Sequence, residues 1–136
     1  MARLLVDTSA WIEFYHPKGA TQVKQALSQA LEIHEIAVVT PIAVELLSGA
    51  KNEKGYGLLT TDLQALTWLP LGSEEALAAG RLAYELARTG QRVPTVDLLI
   101  AGAALVHGCE LWHFGDAHFV TIAAYSALEE NNLKTA

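Results

Sequence analysis

The stretch "LLVDTSAWIEF" at residues 4–14 decides how the chain is read, because an apolar run there ends in Asp7, followed directly by Thr8 and Ser9. The run "RLLV" at 3–6 reads as a strand. An acid at its end has two readings: its oxygen caps the helix of "TSAWIEF", or it is one arm of a site. The remaining sequence has to choose between them.

Three further apolar runs read as strands, "EIAVV" at 35–39, "TWLPL" at 67–71 and "CELWHF" at 109–114. Helical stretches separate them. In "QVKQALSQALEIH" (22–34), Val23, Ala26, Leu27, Ala30 and Leu31 recur on one face of a 3.6-residue period, and similar stripes run through 58–66, 74–89 and 95–107. This alternation predicts an α/β fold with a parallel sheet covered by helices. The boundaries carry their own chemistry. Thr40 fits an N-cap, Pro41 the first helical position and Gly49 a stop. Ser73 fits a second cap, with Glu74 and Glu75 in the first turn, where the helix dipole favours them, and Gly90 beyond the end. A third helix starts at Pro94 or Thr95 and stops at Gly108, while "KNEKGYG" at 51–57 reads as a surface loop.

With 136 residues, the chain suits one domain spanning 1–136. It is 51% hydrophobic, yet no apolar run approaches the roughly 20 residues of a membrane span. The surplus reads instead as a subunit or partner surface. The opening "MARLLVD" passes straight into strand-like sequence and leaves no room for a secretory signal, so the expected location is cytoplasmic. Cys109 is alone, which excludes an intrachain disulfide and a CxxC metal or redox site; it reads as a small buried residue. Nine basic against fifteen acidic residues give a formal charge of -6, which argues against a protein that holds nucleic acid by charge alone. A nuclease is still allowed, because carboxylates gathered around divalent cations are neutralised when the site is loaded.

Most acids here lie among polar residues, but Asp7, Glu45, Asp97 and Asp116 are set in or beside apolar runs. Asp7 and Asp116 follow strands, Glu45 lies one turn into the helix after the second strand, and Asp97 is in the first turn of its helix. Strand ends and following helix starts share one edge of a parallel sheet, where such sheets bind their ligands. Each acid also has a structural reading: a cap for Asp7, a dipole partner for Asp97, a solvated face for Glu45 and a turn for Asp116. Four carboxylates brought close repel one another, and bound metal resolves the conflict. Oxygen ligands suit Mg²⁺ or Mn²⁺, and such a cluster commonly serves phosphodiester hydrolysis. On this reading Thr8 and Ser9 stand beside Asp7 to bond a carboxylate or a phosphate oxygen.

The four segments "LLVDTSAWIEF", "TPIAVELLSGA", "VPTVDLLIAGAALVHG" and "LWHFGDAHF", in this order, resemble the PIN-domain ribonucleases, and more narrowly the VapC-type toxins of toxin–antitoxin pairs. The resemblance covers nearly the whole chain. It implies a three-layer α/β/α fold around a parallel sheet of about four to five strands. It also implies metal held by Asp7, Asp97 and Asp116, with Glu45 a ligand directly or through water and Thr8 in support. The implied activity is Mg²⁺- or Mn²⁺-dependent, single-strand-selective RNA cleavage leaving 5'-phosphate and 3'-hydroxyl ends. The implied partners are a second copy and an antitoxin that covers the groove, with Trp11, Phe14 and Tyr15 as candidates for its contact. One departure stands out: the family's last motif often reads Thr-x-Asp-x-Asp-Phe, where this chain has Phe114, Gly115, Asp116, Ala117, His118 and Phe119.

His118, Lys51, Lys54, Arg88 and Arg92 are the candidate RNA contacts, each with a solvated-charge or structural alternative. Trp68, Trp112 and His113 fall inside predicted strands; the two tryptophans read as core and the histidine as packing or surface. The competing functional reading is a non-catalytic module that keeps the fold and partner groove but assembles no metal. A phosphatase with Asp7 as nucleophile is weaker, since Ser9 stands where its second acid belongs.

Overall fold

A computed structural model describes residues 2–135; Met1 and Ala136, the ends of the expected 1–136 domain, lie outside the described residues. Five strands, β1 (Arg3–Val6), β2 (Glu35–Val38), β3 (Thr67–Trp68), β4 (Glu110–His113) and β5 (Glu130–Asn132), pair in parallel in the order β3-β2-β1-β4-β5. Between them run α1 (Thr8–Tyr15), α2 (Thr21–Ile33), α3 (Thr40–Ser48), α4 (Glu53–Gln64), α5 (Ser73–Arg88), α6 (Thr95–His107) and α7 (Ala117–Ala124).

Leu4, Leu5 and Val6 are all buried, although successive strand residues face opposite ways, so helices cover both faces of the sheet at β1. Leu5, Leu27, Ile42, Ile100, Leu111, Phe119 and Ile122 are among the fully buried side chains that join strands to helices. From β1 the chain builds outward through β2 and β3, then returns to the other side of β1 for β4 and β5. The order therefore reverses between β1 and β4. Open α/β sheets leave a ligand crevice at the carboxyl ends of strands flanking such a reversal. Asp7 follows one of these strands and Asp116 the other, and the Asp7 N–H donates to the Trp112 carbonyl at 2.8 Å.

The hairpin of α5 and α6 sets where Asp97 stands. A Cβ on Gly102 would lie 2.9 Å from both the Ala79 nitrogen and the Glu75 oxygen, so only glycine permits this approach. Gly108, at φ +64°, ends α6 in the left-handed conformation.

Several boundaries differ from expectation. Val39 remains extended and caps α3, so Thr40 is already helical and makes no capping bond. Gly72, not Ser73, precedes α5, and its N–H donates to Glu75 Oε1 at 2.6 Å. The expected loop at 51–57 is mostly helix, because Asn52 Oδ1 accepts the Gly55 N–H at 2.8 Å and starts α4 at Glu53. Trp68 is not core: β3 is a two-residue edge strand, and Trp68 is 46% exposed with Nε1 donating to the Leu63 carbonyl. Trp112 is half-buried, whereas Cys109 and His113 are buried. Among the described residues, no helix is long and apolar enough to cross a membrane.

Candidate active site

Asp7 fulfils its capping reading. It caps α1, its Oδ2 accepting the Ser9 N–H at 3.1 Å and the Ser9 hydroxyl at 2.7 Å, and it is 5% exposed at the β1 end. The same Ser9 hydroxyl oxygen accepts the Phe114 N–H at 3.0 Å, so one side chain ties the Asp7 turn to the loop after β4. Burial, above all, pushes the Asp7 carboxyl above the usual carboxylate range; the Ser9 bonds oppose this, and the charge of Asp116 adds to it.

Across the crevice, Asp97 lies in the first turn of α6, and Asp116 caps α7 with Oδ1 accepting the His118 N–H at 2.9 Å. His118 Nδ1 is 3.0 Å from Asp97 Oδ2 and 3.6 Å from Asp116 Oδ1. One ligand atom from each of Asp97, Asp116 and His118 lies within 4.8 Å of the others. Asp97 is also raised, first by burial and then by Asp116, with Asp7 adding and His118 opposing. Two carboxylates and an imidazole are a donor set that could hold a divalent cation, and the like-charge repulsion on Asp7 and Asp97 is what such a cation would relieve. The close group is thus Asp97, Asp116 and His118, where four carboxylates were expected, and Asp7 is not one of the three.

Glu45 stands outside that group. It is exposed on α3, and its Oε1 accepts the Thr8 hydroxyl at 3.2 Å. Thr8 thus links the Asp7 turn to Glu45. An open depression lined by Thr40, Pro41, Val44, Glu45, Val96 and Asp97 joins Glu45 to the acidic centre.

Of the expected flanking residues, Lys51 shares a groove of about 420 Å³ with Glu45, Ile12, Tyr15, Leu46 and Leu59. Lys54 is exposed in the first turn of α4. Arg88 is exposed at the end of α5 and donates to the Tyr84 hydroxyl oxygen at 2.9 Å, while Arg92 lies in the turn leading to α6. Trp11, Phe14 and Tyr15 pack ring against ring and line a second groove of about 400 Å³ with Leu31, Leu46 and Leu63. Trp11 is only 3% exposed, so an incoming chain meets Tyr15, at 39%, before it. The two grooves lie side by side, sharing Tyr15 and Leu46, and the one that holds Lys51 reaches Glu45.

His113 has a place that strand patterning did not reveal. Its ring is fully buried, with Nδ1 accepting the Asp116 N–H at 3.0 Å and Nε2 bonded to Glu130 of β5. The only sequence signal was a histidine three residues before an acid, which is too common to single out.

A model of the PIN domain matches residues 4–125 of the chain. Ribonuclease VapC11 of Mycobacterium tuberculosis is 35% identical over 131 residues, covering 93% of this chain and 96% of that protein. Ribonuclease VapC18 of the same species is 31% identical over 123 residues, with coverages of 88% and 86%. Among solved structures, VapBC2 from Rickettsia felis, bound to a DNA fragment from its promoter, superposes with a TM-score of 0.79 at 21% identity, over 96% of this chain and 98% of that one.

Proposed function

Because the chain belongs to the PIN-domain family, we propose that it is a metal-dependent endoribonuclease and the toxin of a toxin–antitoxin pair. The observation that carries this reading is the convergence of Asp97, Asp116 and His118 within 4.8 Å, beside buried Asp7, at the sheet's crevice. The relatives named as ribonucleases supply the substrate class.

In this reading Asp97 and Asp116 are the principal metal ligands, with His118 as a nitrogen donor. Asp7 faces the same charge from the buried side, and Ser9 holds its carboxylate. Thr8 orients Glu45, which reaches the centre from α3 directly or through water. Mg²⁺ or Mn²⁺ suits these donors, and when bound such an ion supplies positive charge that acidifies water and polarises a phosphodiester. Water adds to phosphorus in line as the bond to the 3'-oxygen breaks, and the departing oxygen takes a proton. Single-stranded RNA enters by the depression between α3 and α6. Lys51, Lys54, Arg88 and Arg92 are its phosphate contacts. The apolar path past Tyr15 is the antitoxin's, since a segment laid there arrives at Glu45 and covers the site. The working form is a homodimer in the cytoplasm, with residues 1–136 as one domain.

The ends left on the RNA test the mechanism. Attack by water leaves 5'-phosphate and 3'-hydroxyl ends, whereas 2',3'-cyclic phosphate would mean that the RNA's own 2'-hydroxyl attacked, which would overturn it.

A further inference from the structure

The loop that carries Asp116 is held from β5, a strand with no apolar residue. Glu130 and Asn132 are two apart and therefore share a face of that strand. Both reach the 113–116 loop. Glu130 Oε2 bonds His113 Nε2, and His113 Nδ1 accepts the Asp116 N–H at 3.0 Å. Because Nδ1 accepts, the ring proton lies on Nε2 and is donated to Glu130, which fixes the tautomer and the ring orientation together. Asn132 Oδ1 accepts the Gly115 N–H at 2.8 Å and the Lys134 N–H at 3.1 Å. Gly115 sits at φ +69°, a left-handed conformation that glycine adopts without strain, so hydrogen bonds rather than sterics must hold the loop's course.

We propose that Glu130 and Asn132, with His113 as the relay, are positioning residues that fix Asp116 for metal binding. This rests on Asp116 being a ligand, as read above. The reason for three bonds at one turn is geometric. Asp116 is separated from the end of β4 by Phe114 and Gly115, and a ligand on so short and glycine-containing a loop wanders unless its backbone is pinned. The hydrogen bonds reach the N–H groups of Gly115 and Asp116 and leave the Asp116 carboxylate facing Asp97 and His118. Outer partners of this kind typically change metal affinity by about 10–100-fold.

Calorimetric titration of the whole chain with Mn²⁺, after thermal unfolding has shown each variant folded, tests the proposal. Asp116→Asn should lose binding. His113→Leu and Asn132→Ala should weaken it about tenfold or more, and His113→Asn, whose side-chain oxygen can accept the Asp116 N–H, should recover most of the loss. Leu27→Ala, a core truncation in α2, should lower the melting temperature while keeping the parental affinity. If Asp116→Asn binds like the parent, Asp116 is not a ligand and the reading beneath the proposal fails. If Asp116→Asn loses metal while folded His113→Leu and Asn132→Ala keep it, the positioning role alone is overturned. Equal weakening by Leu27→Ala would overturn it too, as a mere stability effect. Asn132→Ala, on a half-buried edge strand, decides the matter should His113→Leu not fold.

Discussion

Asp7 and Asp97 are carboxylates that folding makes harder to ionise, chiefly by burial and then through neighbouring acids. A raised folded pKa means that the native state holds protons the unfolded chain has released. Stability of the metal-free protein therefore falls as pH rises from the ordinary carboxylate value through the raised one, and the loss is complete above it. Asp97→Asn removes one such group. Thermal unfolding in EDTA should show the variant gaining on the parent as pH rises above the ordinary carboxylate value of about 4; a gap moving the other way would contradict the assignment. The same substitution should reduce cleavage at least about a hundredfold, more than loss of an outer partner costs, as single-turnover rates would show. At this scale the sequence was legible where an acid stood among apolar residues, as Asp7 and Asp97 do. The part played by His118 was not, because nothing local shows that a histidine two residues after Asp116 turns toward Asp97 on another helix.

At the scale of elements, α5 and α6 form a hairpin whose spacing fixes Asp97. Gly102→Ala would force a methyl against the Ala79 and Glu75 backbone. The expected cost is about 1–3 kcal/mol, read as a lower urea midpoint with an unchanged slope; parental stability would mean that the hairpin is looser than described. Apolar strands and striped helices were legible because burial dictates their pattern. The stretch Glu130–Asn132 was not, since an edge strand of Glu-Asn-Asn carries no hydrophobic signal and is defined by its pairing with β4. Gly55 and Gly57 likewise hid the start of α4, which the Asn52 cap secures.

For the whole molecule, the apolar surplus finds two outlets, the groove past Tyr15 with exposed Ile12 on it, and the exposed Val44 and Val96 around the acidic depression. Ile12, 52% exposed, lines the groove. Ile12→Asp should weaken capture of the antitoxin about tenfold, or about 1.4 kcal/mol, in a calorimetric titration; undiminished affinity would move the partner off this path. Which RNA is cut depends on shape and local contacts, and composition alone, at a formal charge of -6, carries no trace of them.

Cleavage of an end-labelled cellular RNA pool by the antitoxin-free protein, in Mg²⁺ or Mn²⁺ and in EDTA beside Asp97→Asn, tests whether the chain is a metal-dependent endoribonuclease. Discrete cuts that require the ion and vanish in the variant are expected. Cuts that persist in EDTA, or in folded Asp97→Asn at the parental rate, would contradict that reading. So would the absence of cuts from a folded parent that binds neither metal nor RNA.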